Sequence, residues 1–229
     1  MSDGIVITPI ARVRSDFGGK FGIPRQSGVV PELSATVVFE PAYREAEALR
    51  GIEGFSHLWL IWGFSENFGK PWSPLVRPPR LGGNTRMGVF ATRAPVRPNP
   101  LGLSCVKLES VDLSTPEGPV LRISGADLMD GTPVFDIKPY VPYSDAPAAA
   151  LGGFTATEWE RSLAVEIPSA LAARFPAEKL AALTGVLAQD PRPAYQRAPG
   201  RVYGMTFAGF DVKFTVSDGT LTVTDIIKL

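Results

Sequence analysis

Short apolar runs, each closed by glycine, proline, aspartate or serine, recur along the first two thirds of the chain and constrain its fold most. Such runs are typical of β-strands. Parallel strands need long crossover connections, usually helical, and few of the connections here have a helical pattern. We therefore expect an antiparallel barrel or curled sheet and not a doubly wound fold. The clearest runs are residues 34–40, 55–64, 106–111, 120–124 and 134–139, and Ile5, Ile7, Ile10 and Val13 predict an opening strand.

The last third of the chain has a different pattern. Residues 145–153 (DAPAAALGG) are small and turn-forming, which predicts a linker. A helix-capping pattern at 157–160 predicts a helix to about Arg174, and a second helix is expected over 177–189. Three strands should follow, with Asp218-Gly219 as the hairpin turn of the last two. The predicted fold is mainly β over residues 1–148, with a short helix at 41–49, and a small α+β C-terminal domain over residues 149–229.

The stretch 85–104 (TRMGVFATRAPVRPNPLGLS) is a proline-rich connection between two expected strands. Prolines fix φ and favour extended neighbours, so this loop should be stiff and extended. Residues 67–108 contain no aspartate or glutamate, although the whole chain has 23 basic and 23 acidic residues. This local excess of positive charge indicates an anion-binding face. Its basic residues are Lys70, Arg77, Arg80, Arg86, Arg93, Arg97 and Lys107.

Two polar segments follow the basic stretch. In residues 127–133 (DLMDGTP), Asp127 and Asp130 flank an apolar pair, which suits either a polar turn or a pocket for a cationic cofactor. Asp136, Lys138 and Tyr140 share one side of the expected strand at 134–139. They would be either an exposed edge with an ion pair or part of a site.

Several function classes are disfavoured. With one histidine (His57) and one cysteine (Cys105), the chain lacks the usual nitrogen and sulfur ligands of a zinc site, and no metal is expected. No G-x-G-x-x-G motif follows a strand, so a common dinucleotide cradle is absent. The N-terminus does not have the pattern of a signal peptide, and the longest apolar stretch is too short to span a bilayer. We expect a cytoplasmic protein with no membrane partner.

The run RPPRLGGNTRMGVFATRAPVRPNPLGLS resembles the signature of the TrmO (TsaA- or YaeB-like) family. The resemblance extends over nearly the whole chain, through KFGIPRQSG at 20–28, GIEGFSHLWLIWGF at 51–64, DLMDGTPVFDIKPYVPYSD at 127–145 and LAQDPRPAYQ at 187–196. It implies a β-barrel N-terminal domain and an S-adenosylmethionine-dependent methyltransferase that acts on tRNA. The methyl acceptor would be N6 of threonylcarbamoyl-adenosine, 3′ of the anticodon in threonine tRNA. The resemblance also implies a homodimer, with the cofactor pocket near the subunit interface.

The resemblance assigns expected roles to residues of this chain. The tRNA would contact Arg86, Arg97 and Asn99 in the basic stretch, and Arg192 and Tyr195 in a C-terminal loop that would otherwise be a helix-ending turn. Ser27 departs from the proline that the family commonly has after its PRQ run. The catalytic candidates are Asp136 or Tyr140 to assist loss of the N6 proton, and Lys138 to hold a phosphate or the threonylcarbamoyl carboxylate. The cofactor pocket would comprise Gln26, Ser27, Gly28, Phe64, Ser65, Arg93, Leu103, Asp127, Leu128, Met129 and Asp130.

Two other functions fit the residues alone. The basic stretch would serve as a phosphate track in a non-catalytic RNA-binding module, whose RNA affinity falls with salt and which binds no cofactor. Alternatively, Arg93 and Arg97 would clamp a carboxylate or phosphate of a metabolite in an S-adenosylmethionine-dependent small-molecule methyltransferase. Methyl transfer without RNA would distinguish that enzyme.

Overall fold

The structure is a computed structural model that describes residues 4–156, 162–192 and 200–229. It is mainly β. The strands are β1 (Ala11–Arg14), β2 (Ser34–Phe39), β3 (His57–Gly63), β4 (Leu75–Val76), β5 (Met87–Gly88), β6 (Leu101–Thr115), β7 (Gly118–Ser124), β8 (Pro133–Pro139), β9 (Ala164–Glu166), β10 (Tyr203–Phe207), β11 (Phe210–Ser217) and β12 (Thr220–Lys228). The α-helices are α1 (Pro142–Asp145), α2 (Ser169–Ala172) and α3 (Leu180–Ala188), and α3 continues a 3₁₀ turn at Ala177–Lys179.

Six strands close into an antiparallel barrel in the order β1-β2-β7-β6-β3-β8, which confirms the barrel prediction. Side chains alternate along each strand, so every second residue points inward. In β3 the inward residues Leu58 and Leu60 are fully buried, whereas Trp59 faces outward and is half-buried. The run at 55–64 is therefore a barrel strand with one face in the core.

The second domain packs three helical segments against a four-stranded sheet in the order β10-β11-β12-β9. It is α+β as predicted. Asp218 and Gly219 both have positive φ (49° and 79°) between paired Ser217 and Thr220, so the hairpin prediction is confirmed. The helix expected to Arg174 is wrong at Ala164–Glu166, which forms β9, because this segment pairs in parallel with β12. The expected cap at 157–160 lies outside the described residues.

Two local predictions in the barrel domain need correction. The opening strand begins only at Ala11, whose partners are Phe39 and Val134, and Ile5 and Val6 are 90% exposed. The helix predicted at 41–49 is instead two 3₁₀ turns, Pro41–Tyr43 and Ala46–Leu49. They are separated because Glu45 is extended, with φ −83° and ψ 113°.

The chain leaves the barrel after β3 and returns at β6; we call residues 64–100 the excursion. The main-chain N–H of Phe64 donates to the carbonyl of Pro100 (2.8 Å) and closes its neck. Inside it, β4 pairs with β5. The apolar run at 87–91, which begins the proline-rich stretch, forms only the two-residue β5 followed by a 3₁₀ turn. Most of the surface of this segment is solvent-exposed.

A second departure from the barrel joins the two domains. Between β1 and β2, residues 15–33 run through the second domain, and we call them the crossing segment. Phe17, Val30 and Leu33 from this segment belong to the second domain's hydrophobic core. Within the described ranges, no helix is long and apolar enough to cross a membrane.

Candidate active site

A buried hydrogen-bond chain joins the barrel to Asp127. The indole Nε1 of Trp62 donates to Ser104 Oγ (2.9 Å), and Ser104 Oγ donates to Asp127 Oδ1 (2.6 Å). Ser104 is 1% exposed. Burial raises the pKa of the Asp127 carboxyl, and the hydrogen bond from Ser104 and the positive charge of Arg93 oppose this rise. The Asp127 carboxylate is therefore held in a fixed position at a partly dehydrated site.

The loop at residues 26–28 lies beside this carboxylate. Arg93 Nη1 donates to the side-chain oxygen of Gln26, so the excursion is joined to the loop. Ser27 Oγ accepts from the main-chain N–H of Cys105 (3.1 Å), on a part of β6 where β7 has not yet begun to pair. The serine that departs from the family pattern thus makes a defined contact with the barrel.

Two glycines bring the loop against the residues before Asp127. The N–H of Gly28 donates to the carbonyl of Gly125 (2.8 Å), and both residues have positive φ, 77° and 71°. A Cβ on Gly125 would lie 3.2 Å from the Cα of Gly28, whereas a Cβ on Gly28 would meet nothing within 4 Å. The loop backbone is thus close to Gly125 on one side and open on the other, where a ligand has room. The structure brings together Gln26, Ser27, Gly28, Arg93 and Asp127.

The rest of the 127–130 segment points elsewhere. The Leu128 side chain is 1% exposed in the barrel core, and its carbonyl accepts from Ser15 Oγ (2.8 Å). The Met129 carbonyl accepts from Thr132 Oγ1 (2.6 Å). Asp130 Oδ1 accepts from the N–H of Ser15 (3.0 Å). Asp130 lines a cavity of about 230 Å³ with Arg12, Arg14 and Arg44, so the structure does not join its carboxylate to the Asp127 network.

Phe64 and Ser65 stand at the neck of the excursion. The Phe64 ring lies 4.3 Å from the Trp62 ring, centroid to centroid, in an edge-to-face contact. It therefore supports the indole that begins the hydrogen-bond chain to Asp127. Ser65 is exposed at the start of a 3₁₀ turn, Ser65–Asn67.

The predicted catalytic trio lies on the outer face of the barrel. Lys138 pairs across the strands with Trp59, which pairs with Cys105; in the next row, Asp136 pairs with Ile61, which pairs with Leu103. Lys138 Nζ lies 3.0 Å from Asp136 Oδ2. The Tyr140 ring lies 5.8 Å from the Trp59 ring. Aligned residues on adjacent strands are about 5 Å apart. The trio and the cofactor candidate Leu103 therefore share one face of three neighbouring strands.

The predicted tRNA-binding residues are divided between the domains. Arg86 and Asn99 are exposed on the excursion, and Arg97 Nη1 donates to the carbonyl of Thr92 (3.1 Å). In the second domain, Arg192 donates to both oxygens of Asp190 (2.7 and 3.0 Å), with side chains only 11% and 9% exposed. This ion pair raises the pKa of Arg192 and fixes its guanidinium. Tyr195 lies outside the described residues.

Sequence reasoning missed three features of this region. Trp62 and Ser104 support Asp127, and Trp59 Nε1 donates to Asp145 Oδ2 (2.8 Å), which fixes the indole of the outer face. Trp72 and Phe90, 47% and 77% exposed, lie 6.5 Å apart on the excursion. The Trp72–Phe90 pair had a signal in the sequence, since both rings occur within the basic stretch. In the described part of the chain, no three His, Cys, Asp or Glu side chains could hold a metal ion.

Comparison with known families gives a consistent result over both domains. Residues 12–146 match the model of the tRNA-methyltransferase O N-terminal domain, and residues 160–229 match that of the TrmO C-terminal domain.

Individual relatives match over nearly their full length. The chain is 41% identical over 223 residues to the tRNA (adenine(37)-N6)-methyltransferase of Escherichia coli (strain K12), covering 93% of this chain and 94% of that protein. It is 45% identical over 217 residues to a putative S-adenosylmethionine-dependent methyltransferase, RcsF, of Pseudomonas aeruginosa, covering 90% of each. A crystal structure of TrmO from P. aeruginosa superposes with a TM-score of 0.79 at 36% identity, covering 100% of this chain and 99% of that one.

Proposed function

Because the chain belongs to the tRNA-methyltransferase O family, we propose that it transfers a methyl group from S-adenosylmethionine to N6 of the adenosine at position 37 of tRNA. The observation that carries this proposal is the meeting of Gln26, Ser27, Arg93 and Asp127 at one end of the barrel. These residues come from three distant parts of the sequence. Their convergence places a carboxylate, a guanidinium and polar groups together without a dinucleotide-type glycine cradle.

The pocket residues fit S-adenosylmethionine by their chemistry. When bound, the cofactor supplies an electrophilic methyl group on a sulfonium. The Asp127 carboxylate would hold a cationic or hydroxyl group of the cofactor, and the Arg93 guanidinium would hold its carboxylate. The open side of Gly28 leaves main-chain groups accessible for further hydrogen bonds. Because Ser104 and Gln26 already fix the two charged side chains, little ordering would be needed on binding.

The finer proposal is that the substrate base is N6-threonylcarbamoyl-adenosine in threonine tRNA. Lys138 is exposed beside the Trp59 and Tyr140 rings, which supports recognition of a base that carries a carboxylate. The rings would stack on the base, and the ammonium would pair with the threonyl carboxylate. The transfer would form the N6–CH₃ bond at the expense of the cofactor's C–S bond, and N6 would give up its proton. Asp136, 3.0 Å from Lys138, or Tyr140 would accept that proton.

We further propose that the tRNA lies across the excursion. Trp72 and Phe90 are exposed rings held side by side; Arg77 and Arg86 lie between them in the sequence, and Arg93 follows three residues after Phe90. Exposed rings among basic side chains are typical of surfaces that bind single-stranded RNA. A homodimer is also proposed from the resemblance, and a cytoplasmic location from the features of the sequence given above. An interface centred on the excursion would place like charges of the two copies together, which favours its assignment to RNA.

The main test is calorimetric titration of the purified protein with S-adenosylmethionine, beside the variants Arg93→Ala and Asp127→Asn. We expect about one cofactor per chain for the wild type and weaker binding for both variants. Arg14→Ala is the matched control, since Arg14 pairs with Glu117 outside this pocket. Failure of the folded wild type to bind would contradict the proposal.

The substrate is tested by incorporation of labelled methyl groups into threonine tRNA with and without its threonylcarbamoyl group. We expect methylation of the modified tRNA and a large loss with the unmodified transcript. Equal methylation rates for the two tRNAs would contradict threonylcarbamoyl-adenosine as the substrate. The proposal that the chain methylates adenine N6 would still stand. The proposed homodimer is tested separately: light scattering of the purified protein gives the number of chains per particle.

A further inference from the structure

The crossing segment connects the cofactor pocket to the hydrophobic core of the other domain. Phe17, Val30 and Leu33 are 1%, 2% and 3% exposed there. The Phe17 ring packs edge-to-face on Phe207 of β10, with centroids 5.1 Å apart. Residues near both ends of the segment are therefore part of the second domain's core, although they precede β2 in the sequence.

Polar contacts fix the same segment. Lys179, just before α3, places Nζ 2.6 Å from Asp16 Oδ2 and 3.3 Å from Ser34 Oγ. The Lys179 and Asp16 side chains are 27% and 17% exposed, so the pair is largely shielded from water. The main-chain N–H of Ala208 also donates to the carbonyl of Asp16 (2.9 Å). Lys179 thus touches Asp16 near the start of the crossing segment and Ser34, the first residue of β2, directly after its end.

Two glycines show how closely the segment fits. A Cβ on Gly22 would lie 2.8 Å from Met205 Cε, and a Cβ on Gly185 of α3 would lie 2.6 Å from Val30 Cγ1. Neither distance leaves room for a side chain without movement. The segment is therefore in direct contact with β10 and α3 on either side of residues 26–28.

Residues 26–28 make the contacts that build the pocket. Gln26 accepts from Arg93, Ser27 accepts from Cys105, and Gly28 donates to Gly125. Phe17, Val30 and Leu33 anchor both stems of this loop in the second domain's core. The outermost residues of the segment also bond to the connection between β7 and β8, through Ser15 with Leu128 and Asp130 and through the Leu33 carbonyl with the N–H of Gly125. Loosening the stems should therefore displace the tip, even though the altered residues would touch no cofactor.

We propose that the second domain positions the cofactor loop: Lys179, Met205 and Gly185 are positioning residues that hold the stems of the crossing segment, so that Gln26, Ser27 and Gly28 take their places in the pocket. This inference rests on the proposed function in that S-adenosylmethionine is the ligand there. It gives the second domain a role in cofactor binding that is separate from any contact with RNA. By linkage, cofactor binding strengthens the contact between the two domains by the same factor.

The test uses the full chain and two truncations, one of a lysine and one of an arginine, that each remove one ion pair; the control pair is the more exposed, at 52% and 42% against 27% and 17%. Lys179→Ala breaks the contact with Asp16, whereas Arg174→Ala breaks the pair with Asp225 (3.0 Å) inside the second domain. Calorimetry gives the dissociation constant for S-adenosylmethionine. Hydrogen exchange of the ligand-free protein gives the protection of the Gly28 amide, which donates to Gly125.

For Lys179→Ala and Met205→Ala we expect a several-fold weaker cofactor affinity and faster exchange at Gly28. Arg174→Ala should leave both unchanged, and Lys179→Arg should restore most of the affinity. Unchanged affinity and exchange in folded Lys179→Ala would overturn the inference. If the wild type does not bind the cofactor, the proposed function fails, but the exchange at Gly28 still decides whether the second domain holds the loop.

Discussion

The excursion is inserted between two strands of the barrel, β3 and β6, and the two regions differ in the interactions that fix their shape. Leu58, Leu60 and Leu121 point into the barrel and are 0% exposed. Of residues 64–100, all of which the structure describes, Val89 alone is buried. The barrel is stabilised by removal of apolar surface from water. The excursion depends on prolines, one pair of two-residue strands and scattered hydrogen bonds.

This difference indicates that the two regions have separate roles. A segment with almost no core can carry arginines and exposed rings at little cost in stability, since few of its side chains stabilise the fold. A barrel can hold a carboxylate such as Asp127 in place, since its strands cannot shift independently. The candidate site lies where the two regions meet: Ser104 from the barrel donates a hydrogen bond to Asp127, and the charge of Arg93 from the excursion acts on the same carboxylate.

The largest expected effect tests whether stability belongs to the barrel. Leu60→Ala removes a fully buried side chain, and such truncations cost about 2–5 kcal/mol of unfolding free energy. Phe90→Ala, on the excursion, should change it by less than about 0.5 kcal/mol. Urea denaturation of both variants makes the comparison, with Leu60→Met as a control that keeps the volume. A similar loss for Phe90→Ala would contradict the division.

The next effect concerns RNA. Trp72→Ala and Phe90→Ala each remove an exposed ring, and loss of one base–aromatic stack costs about 1–3 kcal/mol of binding free energy. We expect weaker binding of the threonine tRNA anticodon stem-loop, measured by fluorescence anisotropy, with unchanged S-adenosylmethionine affinity. Tyr43→Ala, an exposed ring in the turn after β2, is the control. A shift from dimer to monomer without loss of RNA affinity would assign the rings to a subunit interface.

Much of the fold could be predicted because it follows from local patterns. The strands at 34–39 and 57–63 have the apolar composition of buried sheet, and Asp218-Gly219 has the backbone preference of a tight hairpin. Residues 164–166 could not be predicted, because the partner that makes them a strand is β12, more than fifty residues away.

The site could be predicted only in part. Asp127 and Asp130 are equivalent as sequence, but Ser104 binds the first and Ser15 the second, so the path of the connection between β7 and β8 separates them. The connection of Gln26 to the second domain depends on packing of Phe17 and Val30, which no local pattern indicates. The roles given to individual site residues stay predictions.

Measuring the unfolding free energy as a function of pH tests whether the folded barrel domain holds the Asp127 carboxylate away from water. Burial is the largest influence on the pKa of Asp127 and raises it. The unfolded chain therefore loses this proton at lower pH, near the ordinary aspartate pKa of about 3.9, than the folded protein does. As the pH rises from that value through the raised folded pKa, Asp127 increasingly destabilises the fold. The unfolding free energy of Asp127→Asn minus that of the wild type should increase across this window and then stay level.

Glu117→Gln gives a control of opposite sign. The hydrogen bond from Arg14 lowers the pKa of Glu117, so this carboxylate stabilises the fold above its ordinary pKa, and the contribution disappears as the pH falls through its folded pKa. The same difference for Glu117→Gln should therefore decrease as the pH rises. Urea denaturation at a series of pH values measures both. A flat profile for Asp127→Asn would mean that the barrel does not dehydrate this carboxylate.

The smallest expected effect distinguishes an excursion arginine that binds RNA from one that binds the cofactor. Arg86 is exposed, and if it contacts one phosphate, its removal should make the slope of log K against log salt concentration for tRNA less negative by about 1. Because Arg86 makes no contact in the Asp127 network, Arg86→Ala should keep its S-adenosylmethionine affinity, whereas Arg93→Ala should lose it. Arg14→Ala should change neither. If Arg86→Ala instead weakened cofactor binding and left the salt slope unchanged, the excursion would be an extension of the pocket, and its positive charge would serve the cofactor instead of the RNA.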